Sequence, residues 1–367
     1  MKRRTPLIIV LSLLLISLVL IGLNFDRLRG VISGSASGAA LEQVFDIPIT
    51  RDPTDDMKNV ALGEAIYYTE NDILYARSLD NQPLWEIPLP GEVILYNLSD
   101  KLLAAEETVG NLYVFSAQGE LLASHLGIGP IDRAELLETG QVVVVMQDSR
   151  QLQIFDETLK SMAKIDVPEG VILNANANPE YNRLSALILE DSDGELKTSA
   201  ILYNLQGEAL QVISRDDIAI NTYSYRDEIL VVVPSGIVVY KEMLTRPVEV
   251  IEIDNIKSTH LDGTTLYLET GSLDATQGQG ELALTGYSLA DRAVEFHNKL
   301  TTKYDKIVTQ GERILTLDKN SLDVHTLSDG KILSQTYPVS IRKAAILPDG
   351  RIGLVFPERI TLNQLKH

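Results

Sequence analysis

One run of side chains in this 367-residue chain could bind a metal ion: residues 191–195 (DSDGE) place three carboxylates within five positions. Carboxylate oxygens are ligands that calcium prefers. A calcium loop of the EF-hand type also needs a third Asp or Asn before its glycine and a glutamate at its twelfth position, which is Leu202 here. Asp191, Asp193 and Glu195 are therefore weak candidate metal ligands, and a solvated hairpin turn is the favoured interpretation.

Signatures of other chemistry are missing from the sequence. No HExxH or comparable spacing joins the five histidines, so a zinc site has no support. The chain has no GxSxG elbow, no phosphate-binding P-loop motif and no cysteine for disulfides or thiolate chemistry. We therefore predict no catalytic residue, no metal and no cofactor, and an enzyme is the less favoured interpretation. The histidines are His125, His260, His297, His325 and His367.

The elements that position these side chains are strands. Beyond residue 42, short apolar runs alternate with turn residues, which is typical of an all-β protein. A unit of strand, polar turn and strand recurs, for example LYARSLDNQPLWEI from Leu74 and LYVFSAQGELLASH from Leu112. The blade repeats of β-propellers have comparable lengths. Aligning the units puts eight residues in one register: Arg77, Phe115, Phe155, Tyr203, Tyr240, Tyr287, His325 and Asn363.

Eight units predict an eight-bladed β-propeller over residues 43–367, and the main alternative is a seven-bladed ring with a divergent cap. The last unit stops after its third strand, which would leave a sheet edge exposed. The segment 42–49 (EQVFDIPI) resembles the outer strand PLWEIPL of the first unit, so we predict that it closes the ring as the missing fourth strand. Because His325 shares its register with aromatic residues, we expect it to be a packed core residue rather than a metal ligand.

Two connections between second and third strands are longer than the others: residues 191–198 in blade four and 271–280 in blade six. Since these positions are equivalent, both loops should project from the face that also carries the connections between blades. Loops on a rigid scaffold often bind partners, although neutral length variation would leave the same pattern. We expect this face to be acidic, and its candidate partner-binding residues are Asp191, Asp193, Asp274, Gln277, Asp216 and Asp217.

An uncharged apolar segment precedes the propeller. Residues 7–25 are long enough to span a bilayer as a helix, and Lys2, Arg3 and Arg4 place residues 1–6 in the cytoplasm. Residues 26–42, which include SGSASGAA, then form a flexible tether to an extracytoplasmic domain. We therefore predict a single-pass protein of the cell membrane, with a cleaved signal peptide as the alternative. An exported domain without cysteine is typical of bacteria.

The unit DILYARSLDNQPLWEI (residues 72–87) resembles the repeat of quinoprotein-type and WD40-like propellers, in which a tight Asp/Gly turn leads to an outer strand carrying Trp. The whole layout is similar to bacterial membrane-anchored propeller proteins, and the resemblance covers nearly all of residues 43–367. It implies the propeller fold. Quinoprotein dehydrogenases would bind a quinone with calcium, but Trp85 is the sole tryptophan and the vicinal cysteine pair often found there is missing, so this cofactor is not expected.

The formal net charge of −19 repels phosphate backbones, so nucleic acid is not an expected partner. The leading hypothesis is a non-catalytic, membrane-tethered module that contacts the lipid bilayer through residues 7–25 and binds a protein or an envelope polymer. One alternative is an extracytoplasmic enzyme that acts on a polymer through scattered carboxylates, and another is a sensor that signals through a partner membrane protein. Buried acids with raised pKa values in the central channel would favour the enzyme, and small apolar residues there would favour the scaffold.

Overall fold

The computed structural model describes residues 39–49, 57–192, 194–271, 282–300, 306–327 and 330–366. The strands within these ranges form eight antiparallel sheets of four, arranged as the blades of a propeller. The predicted all-β, eight-bladed fold is confirmed, and the seven-bladed alternative is wrong. The predicted transmembrane segment 7–25 lies outside the described residues. Among the residues that are described, no helix is both long and apolar enough to cross a membrane.

The first strand in the chain, β1 (Ala40–Pro48), belongs to blade eight, and the blades then follow in chain order. Blade one comprises β2 (Val60–Leu62), β3 (Ile66–Glu70), β4 (Ile73–Arg77) and β5 (Pro83–Pro88). Blade two comprises β6 (Val93–Leu98), β7 (Lys101–Glu106), β8 (Leu112–Ser116) and β9 (Leu121–His125). Blade three comprises β10 (Ile131–Leu136), β11 (Val142–Met146), β12 (Gln151–Phe155) and β13 (Ser161–Asp166). Blade four comprises β14 (Val171–Asn178), β15 (Arg183–Ser192), β16 (Glu195–Asn204) and β17 (Ala209–Arg215), with a 3-10 turn at Pro179–Tyr181.

The second half of the ring repeats this order. Blade five comprises β18 (Asn221–Tyr225), β19 (Glu228–Val233), β20 (Gly236–Lys241) and β21 (Glu249–Glu252). Blade six comprises β22 (Ile256–Asp262), β23 (Thr265–Gly271), β24 (Leu282–Ser288) and β25 (Ala293–Leu300). Blade seven comprises β26 (Lys306–Gln310), β27 (Arg313–Asp318), β28 (Ser321–Thr326) and β29 (Gly330–Thr336). Blade eight comprises β30 (Lys343–Ile346), β31 (Ile352–Phe356), β32 (Arg359–Lys366) and β1.

The apolar core lies in layers between the blades. The second strand of blade three, β11, reads VVVVM and is buried at every position, since blades pack on both of its sides. Strands buried on both sides read as continuous apolar runs. The outer strand β13 alternates instead, with Ala163 and Ile165 buried and Lys164 and Asp166 exposed. The first strand of each blade faces the centre of the ring, so these eight strands form the wall of a channel.

The repeat register read from the sequence is confirmed in all eight blades. Each register residue pairs with an apolar residue near the start of the second strand, as Arg77 does with Ile66 and His325 with Ile314. A β-bulge at the register residue then twists the third and fourth strands in most blades. His325 itself is completely buried, as expected of a core residue.

Strand β1 closes the ring. It pairs antiparallel with β32 from Ala40 opposite Lys366 to Pro48 opposite Arg359, and it supplies the fourth strand of blade eight. Ile47 and Ile49 are buried in the layer between blades eight and one. The pairing begins two residues before the segment 42–49 chosen from the sequence. Joining the two ends of the described chain covers the edge that β32 would otherwise expose.

Neighbouring blades are also linked through the turns that follow their third strands. The indole nitrogen of Trp85 on β5 donates to the backbone oxygen of Ala117 in the turn of blade two, 2.9 Å away. The side chain of Gln211 on β17 accepts from the backbone nitrogen of Met243 and donates to the oxygen of Leu244 in blade five. Several residues in these turns have positive φ: Gly119, Leu159, Gly207 and Met243.

Candidate functional site

The channel opens on two faces that carry different connections. In a four-stranded meander, the links between blades and the turns between second and third strands lie on one face, which we call the junction face. The turns between first and second strands, and between third and fourth strands, lie on the opposite face. The first strand of each blade therefore begins at the junction face and ends at the opposite face.

The middle of the channel is polar. A cavity of about 280 Å³ is lined by side chains of blades three to six, including Glu135 and His260. The amide of Asn176 donates to Asn221, Asn221 donates to the hydroxyl of Tyr223, and this hydroxyl lies 2.6 Å from the Thr259 hydroxyl. These contacts form one hydrogen-bond chain across three blades. Burial raises the pKa of Tyr223 to about 12, with the Thr259 hydrogen bond acting in the opposite direction.

Glu135 is the one carboxylate among the described residues that line this middle cavity. Burial raises its pKa, and the nearby Arg133 partly opposes the rise. Burial, and then the charge of Glu135, raise the pKa of Tyr96 to about 12. His260 extends into the channel, where the surrounding protein lowers its pKa and Asp262 acts against this effect. The middle cavity thus holds amides and hydroxyls around Glu135, whereas the cavity of about 670 Å³ toward the opposite face is lined by Glu138 and Glu180 as well as Glu135.

At the junction face the channel widens into a cavity of about 510 Å³, and among the described residues that line it the charged ones are all basic. We call Lys58, Lys306, Arg342 and Lys343 the basic mouth; they come from blades one, seven and eight. Lys343 donates to the backbone oxygen of Val60 at 2.6 Å, and Lys306 donates to that of Arg342 at 3.1 Å. The Lys58 amine lies 3.7 Å from the carboxylate of Glu107.

The predicted long loop at residues 191–198 is an extension of a hairpin, so this expectation was wrong. Strands β15 and β16 pair as far as Ser192 opposite Glu195, so most of the predicted loop is paired strand. The Asp191 carboxylate accepts a hydrogen bond from the backbone nitrogen of Gly194, at 2.9 Å, and so caps that turn. Asp193 lies outside the described residues. Among those that are described, no group of three or more His, Asp or Glu side chains could hold a metal ion.

The structure brings Asp216 and Asp217 to the base of this hairpin. Lys197 on β16 lies 3.5 Å from the Asp216 carboxylate. Arg215 binds both oxygens of Asp217 at 2.6 and 2.7 Å, and this hydrogen bonding lowers the pKa of Asp217. The two carboxylates are thus paired with cations within the same blade. The other candidate partner-binding residues, Asp274 and Gln277, lie outside the described residues.

Comparison with known proteins begins with the family model that matches residues 44–361, which is most of the chain. The chain belongs to the family of unknown function DUF5711. A search of curated proteins gave no match.

Solved propellers share the fold. BamB from Moraxella catarrhalis is 13% identical, with a TM-score of 0.55, and the match covers 89% of this chain and 100% of that chain. The C-terminal WD40 domain of Sif2 is 11% identical, with a TM-score of 0.61, and the match covers 89% of this chain and 99% of that one. The resemblance to quinoprotein-type and WD40-like propellers is therefore confirmed, and at such low identity it shows the fold alone.

Sequence reasoning missed the basic mouth. Its signal was present, because Lys306 and Lys343 are the first residues of their blades' innermost strands and Lys58 comes shortly before another. The junction face, which the sequence predicts to be acidic, therefore carries charges of both signs. Acids lie toward the rim at blade four, whereas cations surround the channel entrance at blades seven, eight and one.

Proposed function

We propose that this protein is a non-catalytic interaction module, tethered to the membrane by residues 7–25, that binds a protein partner outside the cytoplasm through its junction face. The observation that carries the proposal is the projecting hairpin of β15 and β16. Leu189 still pairs with β14, and Thr198 still pairs with β17. Residues 190–197 pair only with each other, so this part of the hairpin stands beyond the edge of blade four.

The projecting hairpin has the composition of a binding element. Leu196, directly opposite Asp191, is 56% exposed, and an apolar side chain at such a tip gains free energy when a partner covers it. The base of the hairpin is fixed, because the Thr198 hydroxyl donates to the backbone oxygen of Asp217 at 2.8 Å and accepts from the nitrogen of Ala219. A rigid base lowers the entropic cost of binding.

The middle cavity supports a binding role over hydrolysis of a polymer. Glycoside hydrolysis normally uses two carboxylates, one as acid and one as base or nucleophile. Of the described residues that line that cavity, Glu135 is the single carboxylate. The larger cavity toward the opposite face adds Glu138 and Glu180, but both are exposed.

The course of β1 supports one orientation of the domain. Ala40 pairs with Lys366 at the end of β32 that lies toward the opposite face, and Pro48 pairs with Arg359 at the junction face. The chain therefore enters the propeller from the opposite face. If residues 7–25 are the anchor, the junction face is directed away from the bilayer, where a partner can reach it.

Both parts of the proposal can be tested with a single introduced thiol, because the chain contains no cysteine. In L196C the thiol stands at the hairpin tip, and in the control L122C it stands on the exposed outer strand β9. A membrane-impermeant maleimide should label both variants in intact cells. A cross-linker attached at position 196 should capture one defined protein, and a cross-linker at position 122 should not.

A second variant replaces residues 191–197 with a two-residue turn. It should keep its melting temperature, because the described residues of the deleted part pair with no other strand and the ion pair that is lost, between Lys197 and Asp216, is exposed. It should no longer bind the captured protein in a purified mixture. Labelling only by a membrane-permeant maleimide would refute the orientation. Undiminished binding by the shortened variant would refute the assignment of the hairpin.

A further inference from the structure

We infer that the end of the channel at the opposite face is a binding site for a small linear amine that carries two or more positive charges, such as a polyamine. The site is a cavity of about 670 Å³, within the range of small-molecule sites. The turns around this end of the channel, between first and second strands, lie within the described residues in all eight blades. The site does not depend on the partner proposed above, because the hairpin of blade four lies on the junction face.

Glu135 provides the first argument. It stands next to last on β10, the innermost strand of blade three, and it lines both this cavity and the middle cavity. Its carboxylate accepts no hydrogen bond and forms no ion pair with the described residues, and the nearby Arg133 pairs with Asp132 instead, at 3.1 Å. An ionised carboxylate that is largely buried without a partner is unfavourable, which is why the pKa of Glu135 is raised. A positively charged group in the channel would supply the missing partner.

The wall beside Glu135 offers further hydrogen-bond acceptors. Asn176 and Asn178 occupy alternate positions of β14, and their amide nitrogens donate to backbone oxygens of blade five. Asn176 donates to Thr222 at 2.8 Å, and Asn178 donates to Ser224 at 2.9 Å. Their side-chain oxygens accept no hydrogen bond from the described residues, so these oxygens remain for a ligand. An ammonium group donates three hydrogen bonds and accepts none, so an amine fits such a wall.

The outer end of the cavity adds negative charge and aromatic surface. Glu138 and Glu180 are exposed and line this cavity but not the middle one, so carboxylates lie at two depths in the channel. The guanidinium of Arg226 lies over the ring of Tyr225, 5.0 Å from its centre. Such cation–π contacts attract positive groups to aromatic rings, and Arg226 shows that a cation is held at this end of the channel.

The shape and lining of the cavity favour a chain of methylene groups between the charges. Leu98, Ala177 and Leu261 line the cavity together with the ring of Tyr96. Methylene groups that cover this apolar surface gain free energy, and a compact cation would not. Among the described residues, no group of three or more His, Asp or Glu side chains could hold a metal ion. Ammonium groups that are spaced along an alkyl chain therefore match the lining better than a metal ion does.

The experiment is calorimetric titration of the full-length protein, in a mild non-ionic detergent at neutral pH, with spermidine as the probe. Spermidine should bind at one site, and butylamine, which has one charge, should bind much more weakly. E135Q should weaken spermidine binding by roughly tenfold. It should keep or raise the melting temperature, because it removes a carboxylate that burial disfavours. The control E86Q removes an exposed carboxylate from the outer strand β5 and should bind like the wild type.

R226N provides a test that misfolding cannot imitate. Removing the protein's own cation from the outer end should strengthen spermidine binding by roughly two- to threefold, as expected for an exposed charge. This gain should shrink at about 0.5 M salt. Position 226 has a positive φ of 54°, which asparagine accepts more readily than most residues, so the variant should fold.

Trilysine tests the other source of the same ammonium groups, which is the side chains of a protein. Saturable spermidine binding that E135Q weakens and R226N strengthens supports the site. The proposal is overturned if spermidine does not bind saturably, or if trilysine binds and spermidine does not. It is also overturned if E86Q loses as much affinity as E135Q, since general attraction to the net charge of −19 would then explain the binding. A lower melting temperature of E135Q with unchanged affinity would show that Glu135 supports only the fold, and would overturn the proposal as well.

Discussion

Replacing His325 should make the propeller less sensitive to acid. The imidazole is completely buried in blade seven, where its Nε2 lies 3.1 Å from the Thr316 hydroxyl. Burial lowers its pKa from 6.5 to about 4, with Asp323 raising it and Lys331 lowering it further. The register position carries Phe or Tyr in five other blades, so the variant H325F copies a side chain that this repeat already accommodates.

The expected size of the effect follows from proton linkage. A group whose pKa is depressed in the native state contributes its full stability above its unfolded pKa, and that stability falls as the pH drops from 6.5 toward 4. At pH 4.5 an unfolded histidine is almost fully protonated, whereas the native imidazole is protonated in only about a quarter of molecules. The difference amounts to about 2.5 kcal/mol of unfolding free energy lost between pH 7.5 and pH 4.5. This is a large share of the 5–15 kcal/mol that is typical of a domain.

Urea unfolding at the two pH values measures this quantity. Other titrating groups contribute equally to wild type and variant, so H325F should lose about 2.5 kcal/mol less than the wild type. H325N, which copies Asn363 of blade eight, guards against a packing defect particular to Phe and should show the same reduced pH dependence. If both variants keep the wild-type pH dependence, His325 is not the group that titrates, and the reasoning is refuted.

Two further predictions concern how the ring is held together. Deleting residues 42–49 removes the buried Ile47 and Ile49 and exposes the edge of β32, so urea unfolding should show a free energy of unfolding lower by roughly 4 kcal/mol or more. Deleting residues 33–38 should leave that free energy unchanged. Equal losses in the two variants would contradict closure by β1. In G119A the new methyl carbon would lie 2.8 Å from the Trp85 ring, whereas in G194A, which has the same φ of +84°, it would meet nothing within 4 Å. Thermal unfolding should therefore show that G119A is less stable than G194A by roughly 1–3 kcal/mol. When Trp85 is also replaced by alanine, most of this difference should disappear. A difference that persists in the W85A background would contradict the contact between Gly119 and Trp85.

The sequence predicts the repeat of this fold well because each blade is encoded locally. A strand, a polar turn and a second strand occupy adjacent residues, and the buried register position recurs with them, as Phe115 and Phe155 show. Closure of the ring could be predicted for the same reason. Residues 42–49 resemble the outer strand of another blade, and the last repeat unit in the sequence has no outer strand of its own. The turn chemistry is local as well: Ser78, Ser116, Asp156 and Asn204 each cap the turn that they begin.

The hairpin of blade four was misread because its tip resembles a loop. The composition DSDGE has low strand propensity, and nothing in the local sequence shows that Glu190 pairs with Lys197 and Asp191 with Leu196. Such pairs stabilise a strand through cross-strand contacts that depend on register rather than on composition.

The basic mouth was missed for a different reason, although each of its residues stands at or near the start of an innermost strand. The contact between Lys343 and Val60 joins residues 283 positions apart, and it exists only because β1 closes the ring. Acidic residues at several blade junctions therefore suggested an acidic face, although the cations concentrate at its centre.

The path of β1 links the closure of the ring to the basic mouth. This strand runs from the opposite face at Ala40 to the junction face at Pro48, and the chain then continues to Lys58 in the basic mouth. A force or a membrane anchor acting on the N-terminus would therefore pull on the strand that holds blades eight and one together, beside Arg342 and Lys343. The hairpin of blade four lies far along the chain from this closure, so partner binding there should not depend on the pairing of β1.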